Sequence, residues 1–225
     1  MALTLAFDIY GTLIDTQGVN KKLEAFVGEK AAELSSLWRS KQLEYSFRRG
    51  LMRDYQDFEI CTRQALQFGL QAFKIELHEP QIESLMQTYR VLPAFDDVVP
   101  CLELATSLGI RLVAFSNGSA RAVNELLEHA GIRTYFSEVV SVEALQTFKP
   151  NPDVYNYLLT RSQSTAAETW LVSGNPFDIL GAANADLKTA WIKRQQDAVF
   201  DPWGVTPIIE LEGLERLPVS VRDRL

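Results

Sequence analysis

The sequence predicts an α/β fold, in which helices flank a parallel β-sheet and a block of helices is inserted after the first strand. Residues 3–7 are a short apolar run that ends at Asp8 and a turn containing Gly11, which is typical of a strand buried on both faces. Residues 18–89 follow a helical period, and from residue 93 onward apolar runs alternate with amphipathic stretches. These three observations define the fold class.

The helical block occupies residues 18–89, which carry no strand signals. Apolar residues recur at three- and four-residue steps in KKLEAFVGEKAAELSSLWRSKQLEYSF and in DFEICTRQALQFGL. This spacing places them on one face of a helix. We therefore predict an inserted helical domain at residues 17–92 and a core domain formed by residues 1–16 together with residues 93–225.

The region after residue 93 supplies the rest of the predicted core. Strands are predicted at residues 111–117, 138–141, 169–174 and 188–194, of which 138–141 has the weakest signal. Helices are predicted at residues 97–109, 119–131, 150–163 and 175–186, the first two ending at Gly109 and Gly131. Strands and helices that alternate in this way form right-handed βαβ units and an open parallel sheet.

The composition is that of an ordinary globular protein of 225 residues, with 47% hydrophobic and 23% charged residues. The formal net charge of -7 disfavours nucleic acid and anionic membranes as partners. Cys61 and Cys101 are far apart and lack metal-site spacing, so neither a disulfide framework nor a zinc site is expected. The N-terminus lacks a charged signal-peptide start and no apolar run could span a membrane, which predicts a cytoplasmic protein.

Polar clusters follow three of the predicted strands, at residues 8–12, 116–118 and 173–178. In an open α/β sheet, the loops after the strands meet at one edge, where ligands bind. Lys149 would enter the same crevice from a fourth connection. The sequence therefore predicts a functional site at this edge of the sheet.

Asp8 is the candidate nucleophile of this site. A carboxylate just past a buried strand, within reach of a cationic Lys149, would be kept ionised and positioned for attack. Thr12 could hold the Asp8 loop through its hydroxyl group. Taken alone, Asp8 is also consistent with a residue that caps the turn before Gly11.

Four segments resemble the motifs of the haloacid dehalogenase superfamily: AFDIYGTLID, AFSNGS, FKPNPDVY and LVSGNPFDILGA. Their order, spacing and strand-end placement match over nearly the whole chain. The resemblance implies a Rossmann-like, doubly wound parallel sheet with an inserted α-helical cap, which would be residues 17–92. It also implies a covalent intermediate on Asp8.

Most members of this superfamily are magnesium-dependent phosphatases, and the chain departs from their pattern at two positions. Phosphatases carry a second Asp two residues after the nucleophile, where this chain has Tyr10. Their fourth motif contains acidic magnesium ligands, whereas this chain reads Gly174-Asn175, with Asp178 as the acidic residue of the motif. Both departures disfavour phosphoryl transfer.

The same departures are similar to the pattern of the (S)-2-haloacid dehalogenase branch, also called L-2-haloacid dehalogenase. This resemblance implies hydrolytic dehalogenation of small L-2-haloacids with inversion, and it requires no metal or other cofactor. The implied catalytic set is Asp8, Thr12, Arg39, Lys149, Ser173, Asn175 and Asp178. The implied substrate-binding set is Tyr10, Leu43, Phe58, Ser116, Asn117, Tyr155 and Phe177.

The resemblance also implies individual roles. Arg39 and Asn117 would bind the departing halide ion beside Phe58, while Tyr10, Leu43 and Phe177 would form an apolar wall. Ser116 and backbone N–H groups near Tyr10 would hold the substrate carboxylate. Lys149 and Asp178 would orient Asp8 or activate water, with support from Thr12, Tyr155, Ser173 and Asn175.

Gly174 and Phe177 differ from the residues common in the branch, Ser and Trp, which affects the expected pocket. Relatives are commonly dimers and the cap helices offer apolar faces, so a homodimer is expected. Two alternatives remain open at this point. One is a small-molecule phosphatase with unusual metal ligation, and the other is a binding protein that keeps the fold without catalysis.

Overall fold

The computed structural model describes residues 3–224. Residues 1, 2 and 225, which the predicted core domain includes, lie outside the described residues. Within them, one parallel sheet has the strand order β3-β2-β1-β4-β5-β6. The strands are β1 Thr4–Phe7, β2 Arg111–Ser116, β3 Glu138–Ser141, β4 Thr169–Ser173, β5 Lys188–Ile192 and β6 Ile209–Leu211.

The α-helices fall into two groups. Those of the insertion are α1 Asn20–Val27, α2 Ala31–Met52, α3 Phe58–Ala72 and α4 Glu79–Tyr89. Those of the core are α5 Val98–Ser107, α6 Ala120–His129, α7 Pro152–Ser162, α8 Pro176–Asn184 and α9 Leu217–Arg222. No helix within residues 3–224 has the length and apolar character needed to cross a membrane.

Both faces of the sheet are buried, as the apolar runs predicted. Leu5 and Phe7 of β1 belong to a cluster that includes α5, α6 and α9, whereas Ala6 belongs to a second cluster with α7 and α8. Successive side chains of a strand point to opposite faces, so the helices lie on both sides. The doubly wound α/β prediction is confirmed.

The insertion leaves and rejoins the core through two chain segments that lie side by side. The N–H of Asp15 donates to the carbonyl of Pro93 at 2.9 Å, and that of Phe95 donates to Leu13 at 3.0 Å. Helices α1–α4 lie between these points in the chain. The helical insertion is confirmed, and the domain boundaries at residues 17 and 92 stay a prediction.

Every predicted core strand and helix is present, including the weak strand at residues 138–141. Gly109 and Gly131 adopt positive φ angles of 70° and 72° just after α5 and α6. Sequence analysis missed β6 and α9, because β6 has three residues and α9 has six, too few for a periodic pattern to be recognised.

The order of the strands places the switch point of the topology between β1 and β4. Chain connections run outward from this pair in opposite directions, which opens a crevice at the carboxyl ends of the two strands. The N–H of Asp8 donates to the carbonyl of Val172 in β4 at 2.9 Å, which fixes the loop after β1 beside β4.

Gly174 allows the loops after β1 and β4 to touch. A Cβ atom on Gly174 would lie 2.3 Å from the carbonyl oxygen of Gly11. The N–H of Gly174 also donates to the hydroxyl of Thr12 at 2.8 Å. The departure from the usual Ser at this position therefore accompanies a close backbone approach beside the crevice.

We expect Gly174→Ala to destabilise the fold by about 1–3 kcal/mol, because the new methyl group has to displace backbone. Gly50→Ala is the matched control. Gly50 lies in helix α2, and the nearest atom to its new Cβ would be the side-chain oxygen of Thr147, at 3.3 Å. This control should be neutral or mildly stabilising. Urea unfolding measures both, and equal stability of Gly174→Ala and the wild type would contradict the prediction.

Candidate active site

A buried lysine occupies the centre of the crevice. Lys149 is 1% exposed, and its Nζ donates to Asp8 Oδ1 at 3.0 Å, to Asp178 Oδ2 at 2.7 Å and to the carbonyl of Phe115 at 2.9 Å. These three bonds use all three protons of the ammonium group. Sequence analysis predicted that Lys149 reaches the crevice, and the structure brings it into contact with both carboxylates.

The two oxygens of the Asp8 carboxylate have different surroundings. Oδ1 accepts a hydrogen bond from Lys149. Oδ2 accepts from Thr12 Oγ1 at 2.8 Å, from Asn175 Nδ2 at 2.7 Å and from Ser173 Oγ at 3.3 Å. Charge and three neutral donors thus act on opposite ends of one carboxylate.

The start of helix α8 and the residues before it orient these donors. Asn175 precedes helix α8, with Pro176 at the first helical position, where its fixed φ favours a helix start. The Asn175 N–H donates to Ser173 Oγ at 3.0 Å, which orients that hydroxyl. Asp178 lies in the first turn of α8, where the helix dipole favours a negative charge.

Asp178 lies behind the nucleophile and is fully buried. Its Oδ1 accepts from the hydroxyl of Tyr155 at 2.8 Å, while Lys149 holds the other oxygen. A Cβ on Gly181 would lie 2.3 Å from that hydroxyl, so glycine makes room for Tyr155. Tyr155 is itself 0% exposed, which favours its supporting hydrogen bond over the predicted direct contact with substrate.

These contacts move the pKa values of the two carboxyl groups in opposite directions. Burial raises the pKa of Asp8, but the Lys149 ammonium and the Thr12 hydroxyl outweigh it and the net pKa is lowered. Burial dominates at Asp178 and raises its pKa to about 6. Burial opposes the charge of Lys149 too, yet Asp178 and Asp8 raise its pKa overall. Two carboxyl groups whose pKa values differ in this way suit different catalytic roles.

Arg39 extends from α2 of the insertion to the same crevice. Its guanidinium donates to Gln42 Oε1 at 2.7 Å, to the Tyr10 carbonyl at 3.2 Å and to Asn175 Oδ1 at 3.3 Å. These three acceptors are neutral, so its charge remains able to attract an anion. The resemblance implied Arg39 at the site. In the structure, Arg39 is linked to Asp8 through Asn175, which accepts a hydrogen bond from Arg39 and donates one to Asp8.

Aromatic side chains lie beside Arg39. The Tyr10 ring packs on Phe58 at 5.8 Å and on Tyr89 at 6.0 Å between centroids. Phe177 packs edge-on against Phe47 of α2 at 5.0 Å, which joins core and insertion. Leu43 is partly exposed, one helical turn after Arg39, and its contact with substrate stays a prediction.

Ser116 and Asn117 lie at the end of β2 and are 1% and 6% exposed. Ser116 Oγ accepts from the N–H of Gly118 at 3.1 Å. Asn117 Oδ1 accepts from the backbone N–H of Lys149 at 2.9 Å, so the amide NH₂ is the donor group of Asn117. Their roles toward carboxylate and halide stay predictions.

Sequence analysis missed three polar residues that support the site: Gln42, Thr62 and Arg194. Arg194 donates through Nε and Nη2 to the Thr12 carbonyl at 3.0 and 2.6 Å, and it pairs with Asp97 at 2.6 Å. Its place at the end of the predicted strand at residues 188–194 was a usable signal. Gln42 lies three residues after Arg39, on the same helix face.

The donors around Asp8 do not suit a magnesium ion. Both oxygens of its carboxylate accept hydrogen bonds, and the amide NH₂ of Asn175 points at Oδ2 where a metal ligand would need an oxygen. Within residues 3–224 no three His, Cys, Asp or Glu residues form a candidate metal cluster.

Comparison with known proteins identifies the family of this chain. Residues 3–186 match the model of the haloacid dehalogenase-like hydrolase family. The chain is 32% identical over 214 residues to (S)-2-haloacid dehalogenase 2 of Pseudomonas sp. strain CBS-3, covering 95% of this chain and 93% of that protein. It is 35% identical over 211 residues to (S)-2-haloacid dehalogenase of Pseudomonas sp. strain YL, covering 93% and 90%.

A solved structure is similar over the whole fold. L-2-haloacid dehalogenase of Xanthobacter autotrophicus with covalently bound chloropropionic acid has a TM-score of 0.93 and 30% identity, covering 100% of both chains. Fold, motifs and sequence similarity therefore agree, and the chain belongs to the haloacid dehalogenase-like hydrolase family.

Proposed function

We propose that this protein hydrolyses small L-2-haloacids to 2-hydroxy acids with inversion, through an ester on Asp8. The observation that carries the proposal is the pairing of an ionised, hydrogen-bonded Asp8 with a guanidinium whose three hydrogen-bond acceptors are neutral. The similar Pseudomonas proteins are (S)-2-haloacid dehalogenases, and the similar Xanthobacter enzyme holds covalently bound chloropropionic acid.

In the first step, Asp8 Oδ1 attacks carbon 2 of the haloacid from the side opposite the halogen. The C–O bond forms as the carbon–halogen bond breaks, and the halide leaves with the electron pair. Oδ1 is assigned as the attacking oxygen because it accepts one hydrogen bond, from Lys149, whereas Oδ2 accepts three. Arg39 and the Asn117 amide stabilise charge that appears on the halogen only as the bond breaks.

In the second step, water attacks Cγ of the Asp8 ester and transfers a proton to Asp178, whose raised pKa suits a general base. The negative charge that develops on Oδ2 meets the donors of Thr12, Ser173 and Asn175. Collapse of this intermediate breaks the ester bond, and the departing alkoxide takes the proton held by Asp178, which releases the 2-hydroxy acid. The second proton of the water leaves the Asp8 carboxyl group to solvent. Asp8 is regenerated with one oxygen from water.

Binding of the substrate completes the proposal. Ser116 and backbone N–H groups near Tyr10 hold the carboxylate, while Tyr10, Leu43, Phe58 and Phe177 surround the side chain. The reaction is metal-independent.

A cytoplasmic location and a homodimer belong to the same proposal. The exposed side chains of Leu51 and Met52 in α2 support the homodimer. A measurement of the molecular mass of the protein in solution tests it.

We expect the purified protein to release halide from chloroacetate, bromoacetate and the S enantiomer of 2-chloropropionate in the presence of a metal chelator. Asp8→Asn removes the nucleophile and should lower the rate by at least about a thousandfold. Ion chromatography of the halide measures both. Phosphate release that depends on magnesium, without halide release, would instead support a phosphatase, and an inactive wild type would support a binding protein.

The same reaction in heavy-oxygen water tests the covalent step. With enzyme in excess and a single turnover, the label should enter Asp8 and be absent from the hydroxy acid. Mass spectrometry of the peptide containing Asp8 and of the product locates it. Label in the first-turnover product would show direct attack by water and rule out the ester.

We expect kcat to fall as the pH drops through about 6, where Asp178 gains a proton. Asp8 stays ionised at that pH because its own pKa is lowered. Above the pKa of Asp178 the rate should level off, and below it the rate should fall about tenfold per pH unit. Steady-state halide release across this range measures the profile, and a constant kcat down to the pKa of Asp8 would refute the base role.

A further inference from the structure

Gln42 is a polar side chain at the centre of the insertion that the proposed chemistry does not use. It lies in α2 and is 0% exposed. Its Oε1 accepts from Arg39 Nη1 at 2.7 Å, and its Nε2 donates to Thr62 Oγ1 of α3 at 2.5 Å. The hydroxyl of Tyr89 also approaches Oε1, at 3.4 Å.

The hydroxyl of Thr62 determines which way the Gln42 amide faces. That hydroxyl has one proton, and it donates this proton to the Phe58 carbonyl at 2.7 Å. Thr62 Oγ1 can then only accept from Gln42, so the NH₂ group of Gln42 faces Thr62. The amide oxygen is left to face Arg39, since a reversed amide would place donor against donor at Arg39 and acceptor against acceptor at Thr62.

The hydrogen bonds continue from Arg39 to the nucleophile. Arg39 Nη2 donates to Asn175 Oδ1 at 3.3 Å, and Asn175 Nδ2 donates to Asp8 Oδ2 at 2.7 Å. A directed series therefore runs from the buried interface of α2 and α3 to the carboxylate of Asp8. A hydrogen-bonded network of this kind favours one arrangement of its members.

We propose that Gln42 and Thr62 are positioning residues that aim the Arg39 guanidinium at the departing halide. The inference rests on the proposed dehalogenation and assigns residues that act on Arg39 rather than on substrate. Gln42 supplies a neutral acceptor, which orients the guanidinium and leaves its positive charge for the anion. A carboxylate at this position would orient Arg39 equally well but neutralise it.

The test compares Thr62→Val, which keeps the shape and removes the hydroxyl, with Thr62→Ser, which keeps the hydroxyl. With Thr62→Val we expect kcat for 2-chloropropionate to fall about tenfold, as for loss of one oriented hydrogen bond. The fall for 2-bromopropionate should be smaller, because bromide is the better leaving group and needs less stabilisation. Thr62→Ser should restore both rates toward the wild type.

Bromide binding at constant ionic strength, measured by calorimetry, supplies a readout that does not need turnover. Thr62→Val should bind bromide more weakly than the wild type and Thr62→Ser. If Thr62→Val does not fold, Gln42→Glu serves instead, and it should weaken bromide binding by neutralising Arg39. Equal bromide affinities in wild type and variant, or equal losses of rate with both halogens, would overturn the positioning role.

Failure of the two proposals can be told apart. A wild type that binds bromide through this arrangement but releases no halide from any haloacid would refute the dehalogenation alone. A wild type that releases halide, with Thr62→Val unchanged in rate and in bromide affinity, would refute the positioning role alone. Absence of bromide binding in every form would also overturn the positioning role.

Discussion

The contact of Lys149 with Asp8 and Asp178 is the interaction on which the rest of the structure depends. A lysine that is 1% exposed would lose its proton without anionic partners, and two buried carboxylates would gain protons without a cation. Lys149 keeps its charge because both carboxylates face it, and its ammonium favours the ionised form of each. Removal of Lys149 would therefore leave two buried carboxylates without a cation. The segments that carry them come from β1, α8 and the connection before α7, which only the finished sheet brings together.

In the proposed reaction, this arrangement gives the two oxygens of Asp8 different chemical roles. The ammonium group of Lys149 donates to Oδ1, and three neutral donors bind Oδ2. The donors at Oδ2 lower the nucleophilicity of that oxygen in the first step and stabilise its charge in the second. One set of hydrogen bonds therefore serves both halves of the proposed reaction without a conformational change.

The sequence predicted most of the fold and most of the site, because strand-end motifs have a fixed relation to an open parallel sheet. Asp8, Lys149 and Asp178 followed from that relation, with Thr12 and Asn175 beside them. Arg39 does not follow a strand. In the sequence it looks like an ordinary solvent-exposed residue of a helix, close to Lys41 and Glu44, and only the family resemblance identified it. Gln42 and Thr62 could not be found in this way, because their roles depend on how α2 packs against α3. β6 was missed because three residues carry no period.

The position of charge during the reaction explains why a protein with 29 acidic and 22 basic residues surrounds Arg39 with neutral acceptors. The substrate carboxylate keeps its charge throughout, so the unit of charge that moves passes from Asp8 to the halide. In the proposed reaction, Lys149 stabilises this charge at the start and Arg39 stabilises it at the end. An acid beside Arg39 would stabilise the guanidinium before the reaction and weaken its attraction for the halide. Gln42, Asn175 and the Tyr10 carbonyl avoid that loss, because each can orient the guanidinium without carrying a charge.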